Sequence, residues 1–237
     1  MVKIFALNIN QEIKIHTYNF LLSLIDEEKK KCIFRFHHKE DFLRSLYGDL
    51  IIRYFMTSTF NVKNEDLVFK KNEFGKPYVE EIPVFFNISH SKDWVVCAFS
   101  THEIGIDVEF NNNINEDVIK YALSKYEYDK YLTLDTSDRE KYFYKLWTLK
   151  ESYIKCIGKG LSVSPDSITF VHNNDNITIK GKISQEYNFK YYGFDNSYSL
   201  SICSIEHKFY DLITTLTPEY LYSHFKSLKY DTKFLKV

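Results

Sequence analysis

Asp107 and Glu109 lie two residues apart in Ile104-Gly105-Ile106-Asp107-Val108-Glu109-Phe110, and Glu151 and Lys155 lie four apart within the segment 142–160. On a strand, a period of two sends both acids to one face and Ile104, Ile106, Val108 and Phe110 to the other. On a helix, Tyr142, Leu146, Leu149, Tyr153 and Ile157 form one apolar stripe, widened by Phe143, Trp147 and Ile154, so Glu151 and Lys155 face the opposite way. Three carboxylates converging beside a lysine can hold a magnesium-bound diphosphate and support phosphoryl transfer. Each piece alone also has a plainer reading. The acids can be the wet face of a half-buried strand, and Glu151 with Lys155 an exposed helix pair worth about 0.2–0.5 kcal/mol.

Two further stretches can meet an anion. Phe86-Asn87-Ile88-Ser89-His90-Ser91 ends a strand in a turn offering two hydroxyls, an imidazole and backbone N–H groups, although such side chains often bond their own backbone instead. Phe74-Gly75-Lys76-Pro77-Tyr78 can present an aromatic face to a purine with Lys76 near a phosphate, or can be a simple β-turn. Gly158-Lys159-Gly160 reads as a left-handed helix terminus, not a phosphate loop.

The elements that must position these groups follow from periodicity. Asp26 is placed to cap a short basic helix carrying Lys29, Lys30, Lys31 and Arg35. After His37 and His38 a long buried helix has Phe42, Leu46 and Leu50 on one stripe and Leu43, Tyr47, Ile51 and Phe55 on the next. Strands are expected at 67–69, 84–88, 94–99 and 104–110, with short turns implying antiparallel pairing. Helices follow at 116–123, around 127–134 and at 139–157, then strands at 168–172, 177–179, 189–194 and 198–205. The final segment 217–237 adds a helix or drapes over the body. The expected class is α+β, with two halves of similar architecture divided near Glu103: residues 1–103, and residues 104–237 carrying the acids and the long helix.

Composition narrows the field. Among 237 residues, 44% are hydrophobic and 17% aromatic, enough for a sizeable core, and 7 Gly with 4 Pro leave little linker material. A formal net charge of −1 lacks the basic footprint of a nucleic-acid-binding protein. The four cysteines are widely spaced with no Cys-x-x-Cys unit, which fits a reducing cytoplasm better than a zinc or redox site. The strand-like 2–8 is too short for a signal core, and no apolar run reaches the roughly 20 residues of a membrane span, so no membrane partner is expected.

Taken in order, Arg35 to Arg53, Phe74 to Tyr78, Phe86 to Phe99, Ile104 to Glu109, Ser124 to Glu127 and Leu146 to Leu161 (Leu-Trp-Thr-Leu-Lys-Glu-Ser-Tyr-Ile-Lys-Cys-Ile-Gly-Lys-Gly-Leu) carry a resemblance over nearly the whole chain. The chain resembles the 4′-phosphopantetheinyl transferases, in the larger, monomeric form associated with surfactin synthetase. That resemblance implies a pseudo-twofold pair of α+β halves, each an antiparallel sheet packed with helices, with coenzyme A in the cleft between them and residues 1–103 on the coenzyme A side. By matching motif, Asp107, Glu109 and Glu151 would ligate Mg2+ with the coenzyme A pyrophosphate. Ser89 and His90 would hold phosphates, and Lys155 would contact the pyrophosphate. Phe74, Gly75, Lys76, Pro77 and Tyr78 would line the adenine pocket, with Lys29 and Ser45 near the 3′-phosphate. Cys32 stands where these enzymes often carry a second lysine, which implies a 3′-phosphate clamp that uses Lys31 instead or is weaker.

The implied reaction moves 4′-phosphopantetheine from coenzyme A to a serine of an apo acyl or peptidyl carrier protein and releases adenosine 3′,5′-bisphosphate. Glu151 is the first choice to accept the serine proton, directly or through water, with Lys155 stabilising charge. Two other readings compete: a metal-dependent phosphodiesterase, against which the missing basic face counts, and a degenerate module that only binds carrier proteins, against which the joint presence of Asp107, Glu151 and Lys155 counts.

Overall fold

The computed structural model describes residues 2–173, 176–181 and 186–234. The first half runs β1 (Lys3–Asn8), α1 (Ile15–Leu22), α2 (Glu27–Ile33), α3 (Lys39–Phe60), β2 (Phe69–Lys71), β3 (Pro77–Val79), β4 (Phe85–Ser91), β5 (Trp94–Ser100). The second runs β6 (Ile104–Phe110), α4 (Glu116–Ala122), α5 (Lys125–Thr133), α6 (Thr136–Ile157), β7 (Phe170–Asn173), β8 (Asn176–Ile179), β9 (Asn188–Asp195), β10 (Tyr198–Ser204). The strands of the two halves pair in the orders β1-β5-β4 and β6-β10-β9, antiparallel throughout, so each of the three in the first half has a counterpart in the second. Each half also has one 22-residue helix, α3 or α6, and one small hairpin, β2–β3 or β7–β8. The architecture is therefore α+β in two similar halves.

Local chemistry sets the boundaries. Asp26 caps α2 by accepting the Lys29 N–H at 2.7 Å, and Ser124 with Glu127 forms a reciprocal capping box on α5. The long helices end in left-handed residues, Asn61 at φ 53° and Gly158 at φ 68°.

Burial follows a layered plan. Phe5, Leu7, Val95, Cys97 and Phe99 pack toward α3, while Ile4, Ala6, Val96 and Ala98 pack against Ile104, Ile106, Val108, Leu200 and Ile202 of the other sheet. Strands β1 and β5 are thus covered on both faces, which is why neither shows a polar side. A third core joins α6 to the opposite face of the second sheet through Leu149, Cys156 and Cys203.

Three elements differ from the sequence expectations. The strand expected at 67–69 forms at Phe69–Lys71 and pairs with Pro77–Val79, which reads in sequence only as a turn. Residues 89–91, expected in a turn, continue β4 opposite Val96, Val95 and Trp94, leaving only Lys92 and Asp93 to reverse the chain. The chain also returns to its first half. β11 (Thr214–Leu216) pairs parallel to β1, and Leu221 and Phe225 of α7 (Pro218–Phe234) enter the first core. Positions 235–237 of that segment lie outside the described residues. Among the described residues, no helix is long and apolar enough to cross a membrane.

Candidate active site

The alternation of β6 aims Gly105, Asp107 and Glu109 at α6. At Gly105 the helix comes so close that a Cβ would lie 1.9 Å from the Ser152 carbonyl oxygen and 2.4 Å from the Cys156 nitrogen, so only glycine fits. This approach brings the last two turns of α6 over the two acids. Lys155 Nζ donates to Asp107 Oδ1 at 2.6 Å and to Ser89 Oγ at 3.0 Å. The plainer alternative, an exposed Glu151–Lys155 helix pair, is therefore not the pair that forms, because Asp107 takes the ammonium across the inter-element gap.

The other wall of the site is β4, whose alternate residues reach across the seam between the halves. Asn87 Oδ1, Ser89 Oγ and Ser91 Oγ accept the backbone N–H groups of Ile106, Val108 and Phe110 at 2.9, 3.3 and 3.0 Å. The two hydroxyls then donate to the acids, Ser89 to Asp107 Oδ1 and Ser91 to Glu109 Oε2, both at 2.9 Å. Side chains here take the place of a backbone ladder, and the two serines each also fix a carboxylate.

Electrostatically the cluster is strained toward neutrality. Burial raises the Asp107 carboxyl despite its bonds to Lys155 and Ser89, and burial with the Asp107 charge pushes Glu109 up to about 7. The same two causes raise Glu151. His90 retains an exposed edge, yet its ring is crowded by neighbouring atoms and lies near Arg44 and Lys155, so its pKa is lowered, first by desolvation and then by those charges. Asp107 Oδ2 is buried with no hydrogen-bond partner. A buried acceptor is costly unless a cation or donor meets it. Among the described residues, no group of three His, Cys, Asp or Glu side chains is gathered closely enough to enclose a metal ion as it stands. The oxygen donors and the orphaned Oδ2 nevertheless fit a hard divalent cation.

Beside the acids opens a cavity of about 310 Å³ lined by Phe74, Gly75, Lys76 and Pro77 on one side and by Glu151, Ile154 and Lys155 on the other. Its size is within the range of small-ligand pockets, and Phe74 leaves its ring 55% exposed at the rim. Tyr78 lines an adjoining cavity of about 380 Å³ instead. Lys29 and Ser45 are half-buried on α2 and α3 and do not line the first cavity. Lys76 turns its ammonium away from solvent, onto backbone carbonyls.

Three contributors were not singled out individually in the sequence. Asn87 and Ser91 do their work through the same period of two that marks Asp107 and Glu109, and that shared period was the available signal. Trp147, read as part of an apolar stripe, lies beside the Glu109 carboxylate and partly offsets the rise of its pKa.

Asp107, Glu109, Glu151 and Lys155 thus gather at a seam between two α+β halves, and Glu151 and Lys155 line an open cavity. Comparison with known proteins makes the class specific. Residues 13–102 match the model "4'-phosphopantetheinyl transferase, N-terminal", and residues 103–203 match the "4'-phosphopantetheinyl transferase superfamily". The chain is 37% identical over 210 residues to 4'-phosphopantetheinyl transferase gsp of Aneurinibacillus migulanus, covering 86% of each chain. It is 35% identical over 223 residues to 4'-phosphopantetheinyl transferase Sfp of Bacillus subtilis (strain 168), covering 93% of this chain and 100% of that one. Against 4'-phosphopantetheinyl transferase psf-1 of Bacillus pumilus it is 30% identical over 211 residues, covering 88% and 91%. The chain belongs to the 4′-phosphopantetheinyl transferases, enzymes that move 4′-phosphopantetheine from coenzyme A to a carrier protein.

Proposed function

We propose that the seam binds the diphosphate of coenzyme A beside Asp107, Glu109 and Glu151, and that the acceptor is a serine of an apo acyl or peptidyl carrier protein. The observation that carries this reading is the Lys155–Asp107 pair, with Asp107 Oδ2 buried and unpartnered and with Lys155 and Glu151 lining the cavity. Asp107, Glu109 and Glu151 would hold Mg2+, which when bound supplies positive charge to the diphosphate. Lys155, shared at rest with Asp107, donates to the diphosphate oxygens as charge builds on them. Glu151 accepts the serine proton, directly or through water. Adenosine 3′,5′-bisphosphate leaves.

In this reading, residues 1–103 supply the nucleotide side and residues from 104 onward the acids and α6. Phe74, Gly75 and Pro77 border the adenine, Ser89 and His90 the phosphates, and Lys29, Lys31 and Ser45 the 3′-phosphate. The enzyme acts as a cytoplasmic monomer, with neither nucleic acid nor membrane among its partners, consistent with a net charge of −1 and with Cys32, Cys97, Cys156 and Cys203 all unpaired. Intact-mass measurement of several apo carrier proteins after incubation with enzyme, magnesium and coenzyme A tests the proposal. A gain equal to one phosphopantetheine supports it, and no gain on any carrier with coenzyme A left intact overturns it.

A further inference from the structure

Lys76 sits in the loop that borders the cavity, where sequence alone puts its charge near a phosphate. Its surroundings are different. The ammonium donates to the carbonyl oxygens of Lys155 at 2.8 Å, Ile104 at 3.1 Å and Cys156 at 3.3 Å. An ammonium has three N–H groups, and these three bonds use all of them. Two of the acceptors belong to the last turn of α6, whose carbonyls have no partner within the helix and carry the negative end of its dipole. The third begins β6, the strand of Asp107. One side chain from the first half thus ties together the two elements of the second half that carry the acids and the catalytic lysine.

The loop is shaped to deliver that side chain. Asn72 Oδ1 accepts the N–H groups of Phe74 at 3.0 Å and Lys76 at 2.8 Å, and Gly75 takes a φ of 83°. The left-handed Gly158 that ends α6 faces Asn72 and Lys76, its missing Cβ position 3.7 Å from each side chain.

We infer that Lys76 is a positioning residue: it caps the C-terminus of α6 and fixes the spacing between the Phe74–Gly75 wall and Lys155, and it is not a phosphate ligand. Its effect on transfer rests on the function proposed above; the clamp itself does not. A displacement of this wall would widen the site and move Lys155 from its partner, since the clamped carbonyl at 2.8 Å is that of Lys155 itself.

Two experiments test the clamp. In the first, free wild-type protein is labelled with an amine-acylating reagent and the modified lysines are read by mass spectrometry, with and without coenzyme A. Lys76 is expected to react roughly ten-fold or more slowly than exposed lysines in both conditions, because reaction requires local opening. Fast labelling of Lys76 that coenzyme A suppresses would make it a ligand and overturn the inference, whether or not the protein catalyses transfer. In the second, Lys76→Met is assayed with coenzyme A and with dephospho-coenzyme A. A positioning role lowers kcat with both donors by a similar factor, about ten-fold, with the KM for the carrier unchanged. Selective loss on coenzyme A, or no loss in a folded variant, overturns it. If Lys76→Met does not fold, Asn72→Ala, which frees the loop and keeps the ammonium, is expected to lower kcat in the same donor-independent way. Wild-type protein inactive with both donors would dismiss the proposed function and leave the labelling result to decide the clamp.

Discussion

Lys155 Nζ lies 2.6 Å from Asp107 Oδ1, and the second oxygen of that carboxylate is buried with nothing bonded to it. The pair is half of an arrangement, since the lysine neutralises the charge that a bound cation would otherwise meet. Lys155→Ala should therefore destabilise the protein when divalent metal is chelated, because it strands a buried carboxylate with Ser89 alone. Breaking a buried pair costs on the order of 3 kcal/mol, and water entering around a lysine that is 29% exposed lowers the figure. Magnesium should restore part of the loss, and turnover should fall about 100-fold. Urea denaturation with and without magnesium reads both states; identical midpoints for mutant and wild type in chelator would remove the pair from the account. Asp107→Ala and Glu151→Ala should abolish transfer while the protein stays folded.

The acid cluster also sets a pH dependence. Glu109 is raised to about 7 by burial and by Asp107, with Asp107 and Glu151 raised as well. A carboxyl that holds its proton more tightly in the folded state binds more protons there than in the unfolded chain. Stability then falls as pH rises from the ordinary carboxylate range toward 7, and levels off above it. Metal-free protein should thus be more stable at about pH 5.5 than at about pH 8, by about 1–2 kcal/mol from Glu109. Glu109→Gln should erase most of that difference, and magnesium at the higher pH should raise the melting temperature of wild type and not of the variant. A metal-free melting temperature that climbs across this interval contradicts the sign.

Two glycines give opposite expectations under the same substitution. Gly105→Ala drives a Cβ into the backbone of α6 at Ser152 and Cys156. Neither atom is a flexible side-chain end, so the helix must move with Glu151 and Lys155 on it. A loss of about 3 kcal/mol or more is expected, with lower turnover in whatever folds. Gly48 lies inside α3, where an added Cβ would find Ile88 Cγ2 at 3.4 Å, an ordinary contact. Gly48→Ala should stabilise by about 0.5–1 kcal/mol through helix propensity. Equal effects at the two sites in thermal melts would contradict the argument.

The legibility of these parts in sequence follows from how local their causes are. The Ile104–Phe110 strand and the α6 stripe read out because each depends on its own periodicity. Asp26 and Gly158 mark helix ends because capping acts within a few residues. What escaped depends on partners distant in sequence. β11 is three residues long and exists only because β1 offers an edge. The two sides of β1 look alike because one faces α3 and the other a second sheet. Lys150 reads as one more charge projecting from α6, and nothing local reveals that it lies at 0% exposure against Glu127. The loop of Lys76 is legible as a turn, but the carbonyls that occupy its ammonium lie 28 to 80 residues away.

That buried Lys150–Glu127 pair supports the site from behind. Lys150 Nζ donates to Glu127 Oε2 at 2.5 Å and to the carbonyls of Ala122 and Pro165 at 2.7 and 3.0 Å. Glu127 in turn accepts the N–H groups of Ser124 and Phe170 at 2.9 and 2.8 Å. The pair thereby joins α4, α5, α6, the turn at Pro165 and β7, and each polar atom is used. Lys150→Met should cost about 3–5 kcal/mol, because Glu127 would keep its charge without a counterion. Combining it with Glu127→Gln should recover more than half of that, since both charges then leave together. Chemical denaturation of the two single variants and the double variant reads the cycle. A double variant no more stable than Lys150→Met would show that the backbone bonds, and not the buried charge, hold these elements together; a single variant within about 1 kcal/mol of wild type would remove the pair's structural importance altogether.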